Sequence, residues 1–445
     1  MKHDELLAGA KSVLKYNDVG KWTRPAPDLY PHQWLWDSCF TAVGLSHYHV
    51  RRAQQEILSL FRGQWSNGML PNMIFTDAKG HHSPEMWDSK QSIYAPDDIA
   101  TSGITQPPLV AEAVVRIGKQ LSAEDRRKWY KKVWPNLLAY HEWLYRERNP
   151  HAEGLVVLIH PWETGLDNTP PWMRMMHQHQ KPLWIKAIEV TRADRLIEKF
   201  RKDTRQVPPD ERMTTLEGLM LFSVVRRLRR KQYETNRLLL HSHFIIEDLF
   251  FNSILIRANT LLLEIADEIK EDIPAATLSF MHRASKALED LWHEDNEMYY
   301  SRLFITREHI KEPTIATLLP LYSGAITKKR AQQLVNMLKN DDLFNSNFPV
   351  PSVPLNSNYF NHRRYWQGPA WLNTNWLIID GLVRYGFTEE AQELKTRSLQ
   401  MVEKSGFSEY FSPIDGYGAG ISPFSWTAAL TIDLLSTHIT PPVDN

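Results

Sequence analysis

Tyr365-Trp366-Gln367-Gly368-Pro369-Ala370-Trp371-Leu372-Asn373-Thr374-Asn375-Trp376-Leu377-Ile378-Ile379-Asp380-Gly381-Leu382-Val383-Arg384-Tyr385 begins as an aromatic loop and ends as an apolar helix. Apolar side chains recur at helical spacing through its second half, and Gly368-Pro369 reads as a helix start with proline in the first turn. A helix over 367–385 follows, then a short polar turn, a second helical period over 387–404, and a loop rich in Gly, Pro and aromatics over Gly406–Pro423. The same unit repeats along the chain. Helices are predicted over 36–62, 96–117, 123–146, 183–202, 212–231, 234–269, 274–293, 313–323, 327–339 and 422–437. Longer loops at Tyr30–Asp37, Gly63–Phe75, Thr101–Pro108, His160–Trp172 and Asn356–Trp371 alternate with short turns. A ring of antiparallel helix hairpins would gather these longer loops at one mouth. The expected class is all-α, an (α/α) toroid; a plain bundle or superhelix is the alternative, and no fixed sequence period supports a solenoid. Strict alternation is confined to Leu155–Ile159 and Met298–Ser301, the two strand candidates.

The 445 residues would fit one to three domains, but no Gly/Ser linker divides them. Residues 1–445 therefore read as a single domain, with the charge-rich 174–235 as a helical excursion over the mouth. Its most basic run, Arg226-Arg227-Leu228-Arg229-Arg230-Lys231, is interleaved with apolar residues and reads as a solvated helix face in preference to an anion patch. Lys+Arg and Asp+Glu both number 52. A neutral chain has no global field to draw in nucleic acid or an anionic membrane, so neither partner is expected. The one cysteine, Cys39, excludes an internal disulfide, and the first ten residues lack a signal peptide's apolar core. A cytoplasmic location is expected, with no run of about 18 apolar residues to cross a membrane. Whether the chain forms a homo-oligomer is left open.

Tryptophan is the compositional outlier, 16 against 17 Phe. Half of the tryptophans (Trp34, Trp36, Trp65, Trp162, Trp172, Trp366, Trp371 and Trp426) sit in the loop motifs beside polar groups. Trp fills cores, but aromatic planes also stack on the apolar C–H faces of sugar rings. Two of these stretches look like halves of one sugar-cleaving site. One is His160-Pro161-Trp162-Glu163-Thr164-Gly165-Leu166-Asp167-Asn168-Thr169-Pro170, where Glu163 and Asp167 compete as the acid. The other is Phe407-Ser408-Glu409-Tyr410-Phe411-Ser412-Pro413, whose Glu409 is set among aromatics. Glycoside hydrolysis uses two carboxyl groups flanking the scissile bond. In Tyr30-Pro31-His32-Gln33-Trp34-Leu35-Trp36-Asp37-Ser38, Asp37 could cap a helix or hold two sugar hydroxyls against a wall of Trp34 and Trp36. Tyr365, Trp366 and Gln367 stand at a rim ahead of a helix, and Gln106 is a weaker polar point just inside another. No Gly-rich phosphate loop, Gly-x-Ser-x-Gly or His-Glu-x-x-His occurs, and the pairs His241/His243 and His177/His179 diverge on a helix, so no metal site is expected.

Taken together, Trp34–Ser38, Trp65-Ser66-Asn67-Gly68-Met69-Leu70-Pro71, Gln106-Pro107-Pro108, His160–Pro170, Tyr365–Trp371 and Phe407–Pro413 resemble glycoside hydrolase family 63 in the family's own order. The likeness is greatest to its mannosylglycerate/glucosylglycerate hydrolase branch. The resemblance implies an (α/α)6 barrel and no cofactor. It implies inversion at the anomeric carbon, with Asp167 as general acid and Glu409 as general base. Asp37 and Trp36 would hold the sugar, and Tyr30, Trp34, Gln106, Trp162, Tyr365, Trp366, Gln367 and Trp371 would line the substrate pocket. The expected activity is an exo-acting cleavage of a small α-glycoside, mannosylglycerate or glucosylglycerate. A cytoplasmic α-glucosidase for short oligosaccharides and a non-catalytic sugar-binding barrel are the alternatives. Pro171-Trp172-Met173 and Gln367 depart from the commoner family pattern and touch the leaving-group side. A glycerate carboxylate also calls for a cation, with His362, Arg363 and Arg364 the nearest in sequence.

Overall fold

The computed structural model describes residues 3–76, 82–178, 181–199, 201, 203–239 and 244–439. Twelve of its helices form two concentric rings. The inner ring is α2 (Leu35–Ser46), α4 (Val110–Lys119), α6 (Leu249–Ile269), α8 (Pro320–Ser323), α10 (Leu372–Arg384) and α12 (Ser425–Ser436). Each packs on the next, and α12 closes the circle on α2. The outer helices are α1 (His3–Asn17), α3 (Val50–Phe61), α5 (Ala123–Arg148), α7 (Ala275–Ala287), α9 (Lys328–Leu338) and α11 (Thr388–Ser405), each against one or two inner helices. This is the (α/α)6 barrel.

The two rings differ as their sequences require. Every residue of α2 is buried, because an inner helix meets protein on all sides and needs no polar face. The same reasoning explains α6, long and apolar enough to cross a membrane, with 83% of its most apolar window buried in the barrel. Gly44 lets α2 approach α12: a Cβ there would lie 2.4 Å from the Ala429 carbonyl oxygen. Outer helices such as α5, capped by the Ser122 side chain accepting from the Asp125 N–H, expose one polar face.

Several predicted boundaries shift. The 36–62 helix is broken at His47–His49 into α2 and α3. The 96–117 helix starts only at Val110, because Thr101 pairs with Ile74 and the chain stays extended through Pro107-Pro108; Gln106 is therefore not inside a helix. Pro369 does not open α10 either: Ala370 bridges both Pro351 and Phe411, holding the backbone extended until Leu372. The 183–202 stretch turns at Arg192, whose φ is +53°, and 274–293 ends in a strand, Trp292–His293. The 313–323 stretch divides into a tight turn at Ile315–Leu318 and α8. The 234–269 stretch holds a short helix at Thr235–Leu239, a strand at Ile246–Glu247 and then α6. His3–Asn17 and Pro170–Gln178 are helices that the periodicity did not pick out. His179 and His241–His243 lie outside the described residues.

Strand pairing is slight. Val157–Leu158 pairs with Ile246–Glu247, which pairs with Arg302–Leu303, while Met298–Tyr299 pairs with Trp292–His293. The basic run lies on the helix Thr215–Arg230: Arg229 reaches Asp88 at 2.9 Å, Arg226 sits over the Trp184 ring, and Leu228 is buried.

Candidate active site

A cavity of about 660 Å³, its open mouth included, lies at the end of the barrel where inner helices begin. Asp37 and Trp36 come from the first turn of α2, Trp426 from that of α12, Gln106 from the segment before α4, and Tyr365 and Trp366 from the loop before α10. Helix N-termini favour negative charge, and three carboxyl groups face this space: Asp37, Asp167 and Glu409.

The competition within the 160s loop is resolved by pairing. Glu163 is fully buried and gives both oxygens to Arg148 (2.8 and 3.0 Å), while the Ile159 and Thr105 N–H groups donate to it. That carboxylate is spent on the fold. Among the described residues no cation is in hydrogen-bond contact with Asp167; the Tyr365 hydroxyl donates to its Oδ2 at 3.0 Å. Burial pushes its carboxyl up to about 7, against the Tyr365 hydrogen bond and the Arg212 charge, with Glu409 adding to the rise. Asn168 ties the loop to the 365–367 turn: its Oδ1 accepts from the Trp366 N–H and its carbonyl from Gln367 Nε2. Tyr365 holds φ at +43°, a region costly for a non-glycine residue, which aims its hydroxyl at Asp167.

Gly165 makes the turn that brings this loop to the wall. Its φ is +77°, and a Cβ there would stand 2.7 Å from the Trp36 ring. Gly165→Ala is expected to destabilise the fold by about 1–3 kcal/mol through the left-handed strain and the clash. Urea unfolding measures this, and a midpoint equal to wild type would refute it.

Glu409 stands at the entrance of a hairpin whose strands, Tyr410–Phe411 and Gly418–Ala419, pair antiparallel. The Tyr30 hydroxyl donates to Oε1 at 2.9 Å, the Ile421 N–H to Oε2 at 3.1 Å, and Arg212 Nη1 reaches both oxygens at 3.2–3.3 Å. Burial raises its carboxyl above the usual range, while Arg212, the Ile421 N–H and Tyr30 each favour the charged form. Asp37 is the third residue of α2, and Trp34 holds the cap position, so Asp37 is not the N-cap. Burial pushes the Asp37 carboxyl well up; its own helix N–H opposes this, and the charges of Glu409 and Asp167 add to it.

Around these acids stands an aromatic wall. Trp36 meets Trp426 edge-on at 5.5 Å and leans toward Trp366 at 6.2 Å; Tyr30, Trp34 and Trp162 complete the lining. Among the described residues, the buried indole N–H groups of Trp34 and Trp426 have no acceptor. Gln106 Oε1 accepts from the Trp36 N–H at 3.4 Å. Two expected lining residues stand elsewhere. Trp371 is stacked flat behind Trp366 at 3.7 Å and fully buried, and Gln367 is used up on Asn168. The expected cations also miss the cavity: Arg364 pairs with Glu217 and His362 with the Ser412 hydroxyl, while Arg363 is absent from the lining.

Among the described residues, the arginine that lines the cavity is Arg212, from the 174–235 segment. It packs 4.4 Å over the Tyr365 ring and donates to the Tyr30 hydroxyl. Met213 and His82 also line the space. No sequence signal singled out Arg212 among the many arginines of its segment, although Pro208-Pro209 marks a non-helical turn just before it. Among the described residues no cluster of three or more His, Cys, Asp or Glu has metal-binding geometry.

The sequence profile described as the mannosylglycerate hydrolase MGH1-like glycoside hydrolase domain matches residues 30–427. The mannosylglycerate hydrolase of Thermus thermophilus is 38% identical over 427 residues, spanning 95% of this chain and 99% of that one. The glucosylglycerate hydrolase of Mycolicibacterium hassiacum is 30% identical over 468 residues, spanning 98% and 100%. A crystal structure of a GH63 mannosylglycerate hydrolase from Thermus thermophilus, in complex with Tris and D-glycerate, matches with a TM-score of 0.85 at 35% identity, covering 96% of this chain and 99% of that one.

Proposed function

We propose, since this chain belongs to the mannosylglycerate hydrolase MGH1-like glycoside hydrolase family, that it hydrolyses mannosylglycerate or glucosylglycerate to the free sugar and glycerate. The carrying observation is one cavity holding two carboxyl groups, both raised by burial, of which, among the described residues, Glu409 has a cation in hydrogen-bond contact and Asp167 does not. Asp167, with no such cation and a raised pKa, suits a proton donor; Glu409 is held by Arg212 and the Ile421 N–H, which suits a base. In the proposed reaction Asp167 protonates the glycosidic oxygen while Glu409 takes a proton from water attacking the opposite face, so the anomeric configuration inverts. Asp37 holds sugar hydroxyls, with the rings of Trp34, Trp36 and Trp426 as the wall beside them. Arg212 supplies the cavity's positive charge for a carboxylate-bearing aglycone.

The test is a panel of α-glycosides followed by proton NMR. The glycerate glycosides are expected to be cleaved first, with the β-anomer appearing before mutarotation. Release of the α-anomer overturns inversion, and inertness toward both glycerate glycosides overturns the substrate.

The acid's titration sets a pH limit. Asp167 must be protonated to donate, so kcat/KM is expected to fall as pH rises through about 7. Tyr365→Phe removes a donor that favours the carboxylate, so this limb should move to higher pH. A wild-type profile flat to pH 9, or a limb that moves down in the variant, contradicts the assignment.

A further inference from the structure

Glu409 is held in part by a neighbour that never faces the cavity. The excursion carries Glu211 directly before Arg212, at the end of a tight turn, Pro209–Glu211. Glu211 is buried and makes two contacts with the hairpin that carries Glu409. Its Oε2 accepts from the Gly420 N–H at 3.0 Å, and its backbone carbonyl accepts from the Tyr410 hydroxyl at 2.6 Å. Gly420 and Ile421 are the residues that face Glu409 across the hairpin. The Glu409 N–H donates to the Ile421 carbonyl at 2.9 Å, and the Ile421 N–H donates to Glu409 Oε2 at 3.1 Å.

The fit allows little slack. Gly420 has φ of +70°, and a Cβ there would lie 2.5 Å from Glu409 Oε2. A side chain at 420 would strike the Glu409 carboxylate, and it is the Glu211 carboxylate that holds the Gly420 N–H. The same residue sets the backbone from which Arg212 reaches Glu409 and Tyr30.

We propose that Glu211 is a positioning residue for Glu409, clamping the Gly420–Ile421 turn and the Arg212 backbone in one register so that the carboxylate meets the Ile421 N–H and Arg212. This rests on the reading of Glu409 as the general base. The clamp joins the 174–235 excursion to the reaction centre: an excursion that lifts away takes Arg212 with it and frees the turn. What Glu211 contributes is an acceptor, not a charge at the reacting atoms.

Glu211→Ala removes the side-chain acceptor, and Glu211→Gln keeps it in the amide oxygen. In the alanine variant kcat is expected to fall about 10- to 100-fold with KM changed little, as a base displaced by a fraction of an ångström requires. Its acidic limb should lie at higher pH than that of the glutamine variant, which loses the same Glu211 charge, because Glu409 loses alignment with Arg212 and the Ile421 N–H, while Tyr30, Asp37, Asp167, Tyr365 and Tyr410 remain around it. The glutamine variant should restore kcat to within about threefold of wild type. A simple loss of stability would lower the amount of folded enzyme without moving the limb.

Glu409 is also followed directly, by NMR titration of protein labelled with ¹³C at the glutamate carboxyl, its signal assigned by its loss in Glu409→Gln. This readout needs no turnover. A Glu409 titration at higher pH in Glu211→Ala than in Glu211→Gln supports the clamp even if no glycoside is hydrolysed, an outcome that would sink the base assignment alone. Coincident Glu409 titrations in the two folded variants, or equal damage in Glu211→Gln, overturn it.

Discussion

Glu409→Gln is expected to lower turnover of the glycerate glycoside by about 10²- to 10⁴-fold, the range for loss of a general acid–base group. Glutamine preserves the shape, but its one carbonyl oxygen can keep only one of the two bonds that Tyr30 and the Ile421 N–H make to separate carboxylate oxygens, so some stability is lost while the fold and ligand affinity should survive. What disappears is an anionic oxygen able to take the water's proton. Asp167→Asn should cause a loss of similar size on the natural glycoside, but the two variants part on an activated one. An aryl glycoside with an acidic phenol leaves without a proton, so Asp167→Asn should regain much of its rate there and Glu409→Gln should not. Azide should rescue the alanine variant at 409, giving the β-glycosyl azide, since that anion needs no base. The same response to leaving group in both variants, or near wild-type turnover in either, removes the assigned roles.

Arg212→Ala is the second large effect. It strips Glu409 and Tyr30 of their shared cation while both stay buried. Breaking a buried pair by deleting one partner costs about 3–5 kcal/mol. Here Glu409 borders a cavity and can take up a proton, so the stability loss should fall below that range and grow as pH rises. The sign follows from the shift: with Arg212 gone, the folded-state pKa of Glu409 goes up. Its unfavourable burial as an anion is then absent below the unfolded value and is felt increasingly as pH rises through the new one. Activity should fall at least about 100-fold near neutrality, because a protonated Glu409 cannot act as a base. Arg212→Lys should recover little, since an ammonium lacks the fork that spans both carboxylate oxygens and the Tyr30 hydroxyl. Denaturation at pH 5 and 8 and a kcat/KM profile measure these effects. Wild-type stability at both pH values together with wild-type kcat/KM would show that Arg212 is a bystander.

Much of the barrel was legible because inner helices such as α2 and α6 are apolar on nearly every side, while outer helices such as α3 and α5 keep a polar face. Two of the misplaced helix starts share one cause. At 96–109 and 365–371 the chain contains residues compatible with helix, and pairing with remote segments holds it extended. Local propensity has no access to Ile74, Pro351 or Phe411. Asp37 reads as a cap in sequence for a related reason: the cap position is set by where the backbone leaves its pairing at Gln33–Trp34, one step before α2 begins.

The chemistry divides in the same way. Glu163 and Asp167 look alike in a string of letters, four residues apart in one aromatic loop. Arg148 decides between them by neutralising the first and leaving the second facing the cavity. Trp366 and Trp371 are likewise equal in sequence, yet one lines the cavity and the other stacks behind it.

By itself, then, the order of residues determined a ring of helices, the loops that meet at its mouth, and a short set of acids and aromatics to carry its chemistry. Only the tertiary structure decided which acid of the 160s loop is neutralised by Arg148, which ring lines the cavity, and that Arg212 reaches Glu409. Periodicity is a local property that burial imprints along the chain. The charge state of a carboxyl group depends on distance and desolvation between residues hundreds of positions apart, which folding alone brings together.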